Sequence, residues 1–100
     1  MSAARRSGGH GARGLARRRA MQALYQWHMA GAALNVIEAE FRSDYDFDHV
    51  DLEYFQALLH EIPARVDELD RSLEPLLDRR VEELDPIELT LLRMGLFERG

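Results

Sequence analysis

The stretch from Leu84 to Phe97 restricts the fold more than any other part of this chain. It opens with Asp85, a residue suited to cap a helix, and then Pro86, whose missing N–H is harmless at the first helical position. Glu88 is spaced to close a capping box with Asp85, and Leu84 and Leu89 are spaced for a hydrophobic staple. After that start come Ile87, Leu89, Leu91, Leu92, Met94, Leu96 and Phe97, with only Thr90, Arg93 and Glu98 as polar breaks. A helix that is apolar on nearly every side belongs in the middle of a core. Four earlier helices can cover one side of it, but little sequence follows to cover the other. The expectation is therefore either self-association through this helix or a chain that continues further in its native form, and the second is preferred.

The earlier segments supply the covering helices. In Ala16–His28 the 100° step of a helix puts Ala16, Ala20, Ala23, Leu24 and Trp27 on one face and Arg18, Arg19, Gln22 and Gln26 on the other. Met21, Tyr25 and His28 widen the apolar arc, with the Tyr25 hydroxyl at its rim. This helix is predicted from about Leu15 to Met29, ending at Gly31. A second is predicted from Asn35, boxed by Glu38 and stapled by Leu34 and Ala39, with Val36, Ile37 and Phe41 buried. Asp48 or Asp51 caps a third, in which Leu52, Phe55, Leu58 or Leu59, and Ile62 recur at helical spacing. Pro63 ends or kinks it. A fourth carries Ile62, Val66, Leu69, Leu73 and Leu76 until Pro75 breaks or bends it near the end. The expected architecture is all-α, a bundle of about five helices over residues 15–100 behind a flexible Arg/Gly/Ser arm at 1–14.

Charge divides the chain in a way that its net value of -5 hides. Residues 1–30 hold six arginines and no acid, while residues 31–100 hold seven arginines against eighteen acids. All thirteen basic residues are arginine, the forked and weakly hydrated donor suited to phosphates and base edges. An arginine-bearing arm running into a helix with a wet basic face fits an anionic polymer. Arg13, Arg17, Arg18 and Arg19 are the candidate phosphate contacts, and Gln22 with the arginine planes is the candidate for reading unpaired bases. Trp27, in the middle of the apolar face, is assigned to core packing.

Other chemistries find little support. There is no cysteine for a disulfide or thiolate metal site. His10, His28, His49 and His60 lack metal-ligand spacing and an adjacent nucleophile. Asp44, Asp46 and Asp48 imitate the opening of a calcium loop, but His49 stands where glycine is needed and Phe55 where a bidentate glutamate is needed. No apolar run is long enough to span a membrane, and no signal-peptide core follows the basic N-terminus. The expectation is a cytoplasmic, non-enzymatic chain without cofactor or metal.

Three segments together resemble the NusB family of transcription antitermination factors. They are the arginine tract leading into Ala20-Met-Gln-Ala-Leu-Tyr-Gln-Trp27, Asp51-Leu-Glu-Tyr-Phe-Gln-Ala-Leu-Leu59, and Leu84-Asp-Pro-Ile-Glu-Leu-Thr-Leu-Leu-Arg-Met-Gly-Leu-Phe-Glu98. The likeness runs from about Arg13 to Glu98. It implies an all-helical fold whose basic N-terminal segment contacts single-stranded boxA RNA. It also implies a second partner, the small-subunit ribosomal protein NusE. The pair would load onto ribosomal RNA leaders and help RNA polymerase, within an antitermination complex, read past terminators. By the same resemblance Arg13 and Arg17 fall on the family's basic motif, Tyr25 on a tyrosine of the NusE contact, and Glu88 on a helix-start glutamate near the RNA–protein junction. The contacts of Arg18 and Arg19 follow from their own placement, because they depart from the family's spacing. Read from its residues alone, Glu88 is a capping carboxylate. The family's chain continues for two further helices that add core and RNA contacts.

Two rival readings belong to other classes. One is the helical RNA-binding domain of a ribosomal-RNA methyltransferase. The other is a homodimeric protein-interaction module whose arm is incidental.

Overall fold

A computed structural model describes the backbone of residues 2–99 and the side chains of residues 11–99. Every regular element among them is helical: α1 (Ser2–Ala30), α2 (Leu34–Asp44), α3 (Leu52–Ala64), α4 (Val66–Leu73) and α5 (Pro86–Arg99), with 3-10 turns at Glu74–Leu76 and Val81–Glu83. The all-α expectation holds. The first helix starts well before Leu15, because alanine and arginine favour the helix and no proline interrupts it; the glycines of the arm lower that preference without abolishing it. The expectation of a flexible arm rested on the composition of residues 1–14, and the side chains of 1–10, Arg5 and Arg6 among them, lie outside those described.

The core forms where α1 lies across α3, α5 and α2. Ala16, Ala20 and Ala23 are completely buried, and their small side chains let the backbone of α1 come close to the helices beneath it. The larger buried side chains come from the facing elements: Ile37 and Phe41 of α2, Phe55, Leu58, Leu59 and Ile62 of α3, Leu69 of α4 and Met94 of α5. Phe55 is at the centre, with Phe47 edge-on at 5.0 Å and Phe41 tilted at 6.3 Å between ring centroids. Truncating such a phenylalanine to alanine costs about 3–5 kcal/mol. Trp27 is half-buried and packs against this cluster.

Local signals set most of the boundaries. Gly31, at φ 68°, donates its N–H to the Trp27 carbonyl at 2.9 Å, a left-handed helix end that a side chain would strain. Asp51 caps α3 through Oδ1, which accepts from the Tyr54 N–H at 3.1 Å. Asp48 donates its own N–H to the Asp46 carboxylate, so it belongs to a turn and not to the cap. Pro63 lies in the last turn of α3, and α4 gives way to a 3-10 turn beside Pro75. At α5, Asp85 Oδ1 accepts from the N–H groups of Ile87 and Glu88 at 2.7 and 3.4 Å.

Several expectations need correction. The second helix is capped by Ala33 without a side-chain bond, because Glu38 turns to α3 instead of back along its own helix. Val36 is exposed, since Ile37 and Phe41 already fill the inward arc of this short helix. Leu76 is exposed because the 3-10 turn rotates it off the face shared by Leu69 and Leu73. The Glu88 side chain makes no hydrogen bond among the described residues, so only the Asp85 half of the box forms.

Helix α5 is covered on one side only, in line with the uncovered apolar side expected of it: Ile87, Leu91 and Leu92 form an exposed strip. What the pattern did not show is that the polar Thr90 and Arg93 are buried. Thr90 satisfies its hydroxyl by donating to the Pro86 carbonyl at 2.8 Å. Arg93 reaches α4 and grips the Asp70 carboxylate with two bonds of 2.8 and 2.7 Å. This paired geometry lets a charge sit inside the fold.

Candidate nucleic-acid interface

The side chains expected to contact RNA, Glu88 excepted, project from α1, and the helix sorts them by direction. Towards the start of α3 and the end of α5 point Arg13 and Arg17. The Arg13 guanidinium lies 4.3 Å from the centre of the Tyr54 ring, with Nε 3.9 Å from the Asp51 carboxylate. Below it, the Ala12 carbonyl accepts the Asp51 N–H at 3.0 Å, tying α1 to the cap of α3. Arg17 donates from Nε to both oxygens of Glu98, at 2.9 and 3.0 Å. The Tyr54 hydroxyl donates to the same carboxylate, so Glu98 joins α1, α3 and α5 at one point. Burial, reinforced by that anion, raises the Tyr54 pKa above the ordinary phenol value.

Towards α2 points Arg19. Its guanidinium lies 4.2 Å from the centre of the Tyr45 ring, and its Nη1 donates to Gln22 Oε1 at 3.1 Å. Nε of Arg19 is buried and has no hydrogen-bond partner. Between these two flanks Arg18 is exposed and forms no ion pair among the described residues. Gln22 is half-buried, and so is Tyr25, which lies two turns from Arg18 on the same side of the helix.

Glu88 is apart from all of these. It is exposed at the opposite end of α5 from Glu98, about 15 Å away along the helix axis. There it borders an open groove of about 420 Å³ with Leu77, Arg79, Leu84, Leu91 and Leu92. The structure thus gathers Arg13, Arg17, Arg18, Arg19 and Gln22 along one helix and separates Glu88 from them.

Sequence reasoning missed the partners of the arginines. Tyr54 and Glu98 are inside two of the quoted motifs, yet nothing in their local spacing links them to Arg17, eighty-one residues from Glu98. Tyr45 was concealed among Asp44, Asp46 and Asp48, a stretch weighed for its likeness to a calcium loop. A second carboxylate cluster was also missed: Glu38 accepts from Gln56 at 2.7 Å and meets His60 Nε2 at 2.6 Å, with Arg42 at 3.7 Å. Burial pushes the Glu38 pKa up, but the bonds from Gln56 and His60 and the nearby cationic groups outweigh it, and the net shift is downward. Among the described residues no group of three His, Cys, Asp or Glu side chains is placed to hold a metal ion, and no helix is long and apolar enough to cross a membrane.

Fold and surface together define a class: an all-α bundle whose first helix carries a row of arginines over an alanine-lined seam. Within that class the chain belongs to the NusB family, which residues 15–99 match. The transcription antitermination protein NusB of Pseudomonas savastanoi pv. phaseolicola is 58% identical over 83 residues, 83% of this chain and 50% of that protein. The NusB protein of Alcanivorax borkumensis is 55% identical over 87 residues, 87% of this chain and 58% of its own length. That of Hahella chejuensis is 52% identical over 83 residues, covering 83% and 56% respectively. The chain therefore spans about half the length of the curated relatives it matches.

Proposed function

We propose that this chain is a transcription antitermination factor that binds boxA-type single-stranded RNA together with the ribosomal protein NusE, within an RNA polymerase complex. The observation carrying this reading is the arginine row of α1, in which Arg18 and Arg19 have no carboxylate partner among the described residues of a chain of net negative charge. Family membership and the printed names of its relatives support it over a methyltransferase domain or a purely protein-binding module. On this reading Arg18 neutralises backbone phosphate, and Arg13 and Arg17 contribute charge that Asp51 and Glu98 partly offset. Tyr25 is assigned to the NusE contact, and Glu88 to the junction between RNA and protein. Such a factor acts where transcripts are made, in the cytoplasm.

The test is a salt titration of binding to a short boxA RNA and to a scrambled RNA, with and without NusE. Tighter, NusE-enhanced binding to boxA is expected, with affinity falling at a log–log slope of about -0.7 per phosphate contacted. Arg18→Ala should weaken both RNAs alike and remove about one such contact, leaving helix content unchanged. Equal, salt-insensitive binding to both RNAs would count against the proposal.

A further inference from the structure

The Arg19–Tyr45 contact differs from the other arginine contacts of α1 in a way that phosphate binding does not explain. Tyr45 is anchored from below: its ring stacks on Phe41 at 5.2 Å and 28°, and Phe41 in turn meets Phe55 in the core. Arg19 lies over the Tyr45 ring, its guanidinium carbon 4.2 Å from the ring centre. Among the described residues its Nε is buried without a partner and no carboxylate pairs with it, although Asp44 and Asp46 flank Tyr45 in sequence. An arginine held by a ring instead of an acid keeps its charge and presents a flat, oriented plane. The nearby acids repel a phosphodiester but not a neutral base.

Gln22 completes the arrangement. Arginine can only donate, so the Gln22 oxygen must face it, and the amide Nε2 is left to donate elsewhere. Resting on the RNA-binding reading, we propose that Arg19, positioned by Tyr45, is a stacking shelf for one unpaired RNA base, and that Gln22 donates to an acceptor on the edge of that base. Arg19 and Gln22 thereby determine specificity, and Tyr45 is a positioning residue. Guanidinium stacking combined with edge hydrogen bonds is an established way of reading single-stranded RNA.

The test uses the whole chain with NusE, a short boxA RNA and a scrambled RNA of the same composition. Arg19→Lys keeps the charge but removes the plane. It should lose about ten-fold in boxA affinity, the worth of one stacked base, while scrambled-RNA affinity and the salt slope stay unchanged. Tyr45→Ala should behave similarly and Tyr45→Phe like the unmodified chain. Gln22→Ala should reduce preference for boxA without changing the salt slope. With 2-aminopurine substituted in turn along boxA, one position should show quenching that Arg19→Lys abolishes. An equal loss on both RNAs with a shallower salt slope would make Arg19 a phosphate contact. Earlier melting with unchanged RNA binding would make the cluster a structural clasp. Either result overturns the shelf while leaving the RNA-binding reading intact, whereas failure of the unmodified chain to bind either RNA overturns both.

Discussion

The two flanks of α1 use the same side chain to opposite electrostatic effect. On the flank facing α3 and α5, Arg17 meets the Glu98 carboxylate and Arg13 approaches Asp51. On the flank facing α2, Arg19 is held by a tyrosine ring and a glutamine oxygen. A carboxylate fixes an arginine and cancels its charge, whereas a ring fixes it and leaves the charge available. Among the described side chains the basic surface of α1 is therefore narrower than their count of arginines suggests, and it is centred on Arg18 and Arg19. Helical rotation accounts for the difference: Arg17 and Arg19 are 200° apart around the axis and meet different neighbours.

Arg93 marks the fully structural end of this comparison and gives the largest expected effect. Its side chain is only 9% exposed, and its two bonds to Asp70 join α5 to α4. Arg93→Ala leaves a largely buried carboxylate without its cation and should cost about 3 kcal/mol. Urea unfolding should show this as a lower midpoint, with RNA affinity per folded molecule unchanged. A loss well below 1 kcal/mol would mean that water replaces the arginine, and that burial is a poor guide to how these arginines are used.

Arg17 is intermediate, and two substitutions separate its roles. Arg17→Ala should destabilise the fold by about 1 kcal/mol, because the pair is part-exposed and Glu98 retains Tyr54 as a partner. Glu98→Gln should also destabilise it, yet strengthen binding to boxA and scrambled RNA alike by releasing the charge of Arg17. If Glu98→Gln leaves RNA affinity unchanged, Arg17 belongs wholly to the fold, and the division between the flanks is sharper than drawn here.

What the sequence made legible was local. Helix periodicity, the Asp51 and Asp85 caps, the stop at Gly31 and the break at Pro75 depend on residues within a few positions of each other, and the structure contains them all. What it concealed was long-range. The inward turn of Arg93 depends on Asp70, and the outward turn of Ile87, Leu91 and Leu92 on what the other helices leave uncovered. Hydrophobic pattern marked α5 as apolar on nearly every side with one side lacking cover, but it did not show which residues take which side: Ile87, Leu91 and Leu92 are outside and the polar Thr90 and Arg93 inside. The arginines of α1 were visible as candidates, but the acids and rings that divide them come from α2, α3 and α5. Glu38 shows the same limit: a sound local box at the start of α2 lost to Gln56 and His60 across the helix interface.

The smallest expected effects are in pH, and they separate the clasps by sign. Glu38 has a folded pKa below its ordinary 4.5, so its contribution is complete above that value and is lost as pH falls through the folded pKa. Tyr54 has a folded pKa above its ordinary 10.0, so its contribution is complete below that value and is lost as pH rises through the folded pKa. Each limb should amount to under about 1 kcal/mol, in keeping with single hydrogen bonds. Unfolding midpoints measured across pH should show that Glu38→Gln flattens only the acid limb and Tyr54→Phe only the alkaline one. Ionising Tyr54 places a second negative charge against Glu98, so alkaline pH should loosen the Arg17 flank while the hydroxyl-independent stack at Arg19 depends only on its own ring. A Tyr54→Phe chain that still lost stability over the same alkaline range would take the titrating group away from the Arg17 flank and erase the asymmetry between the two flanks.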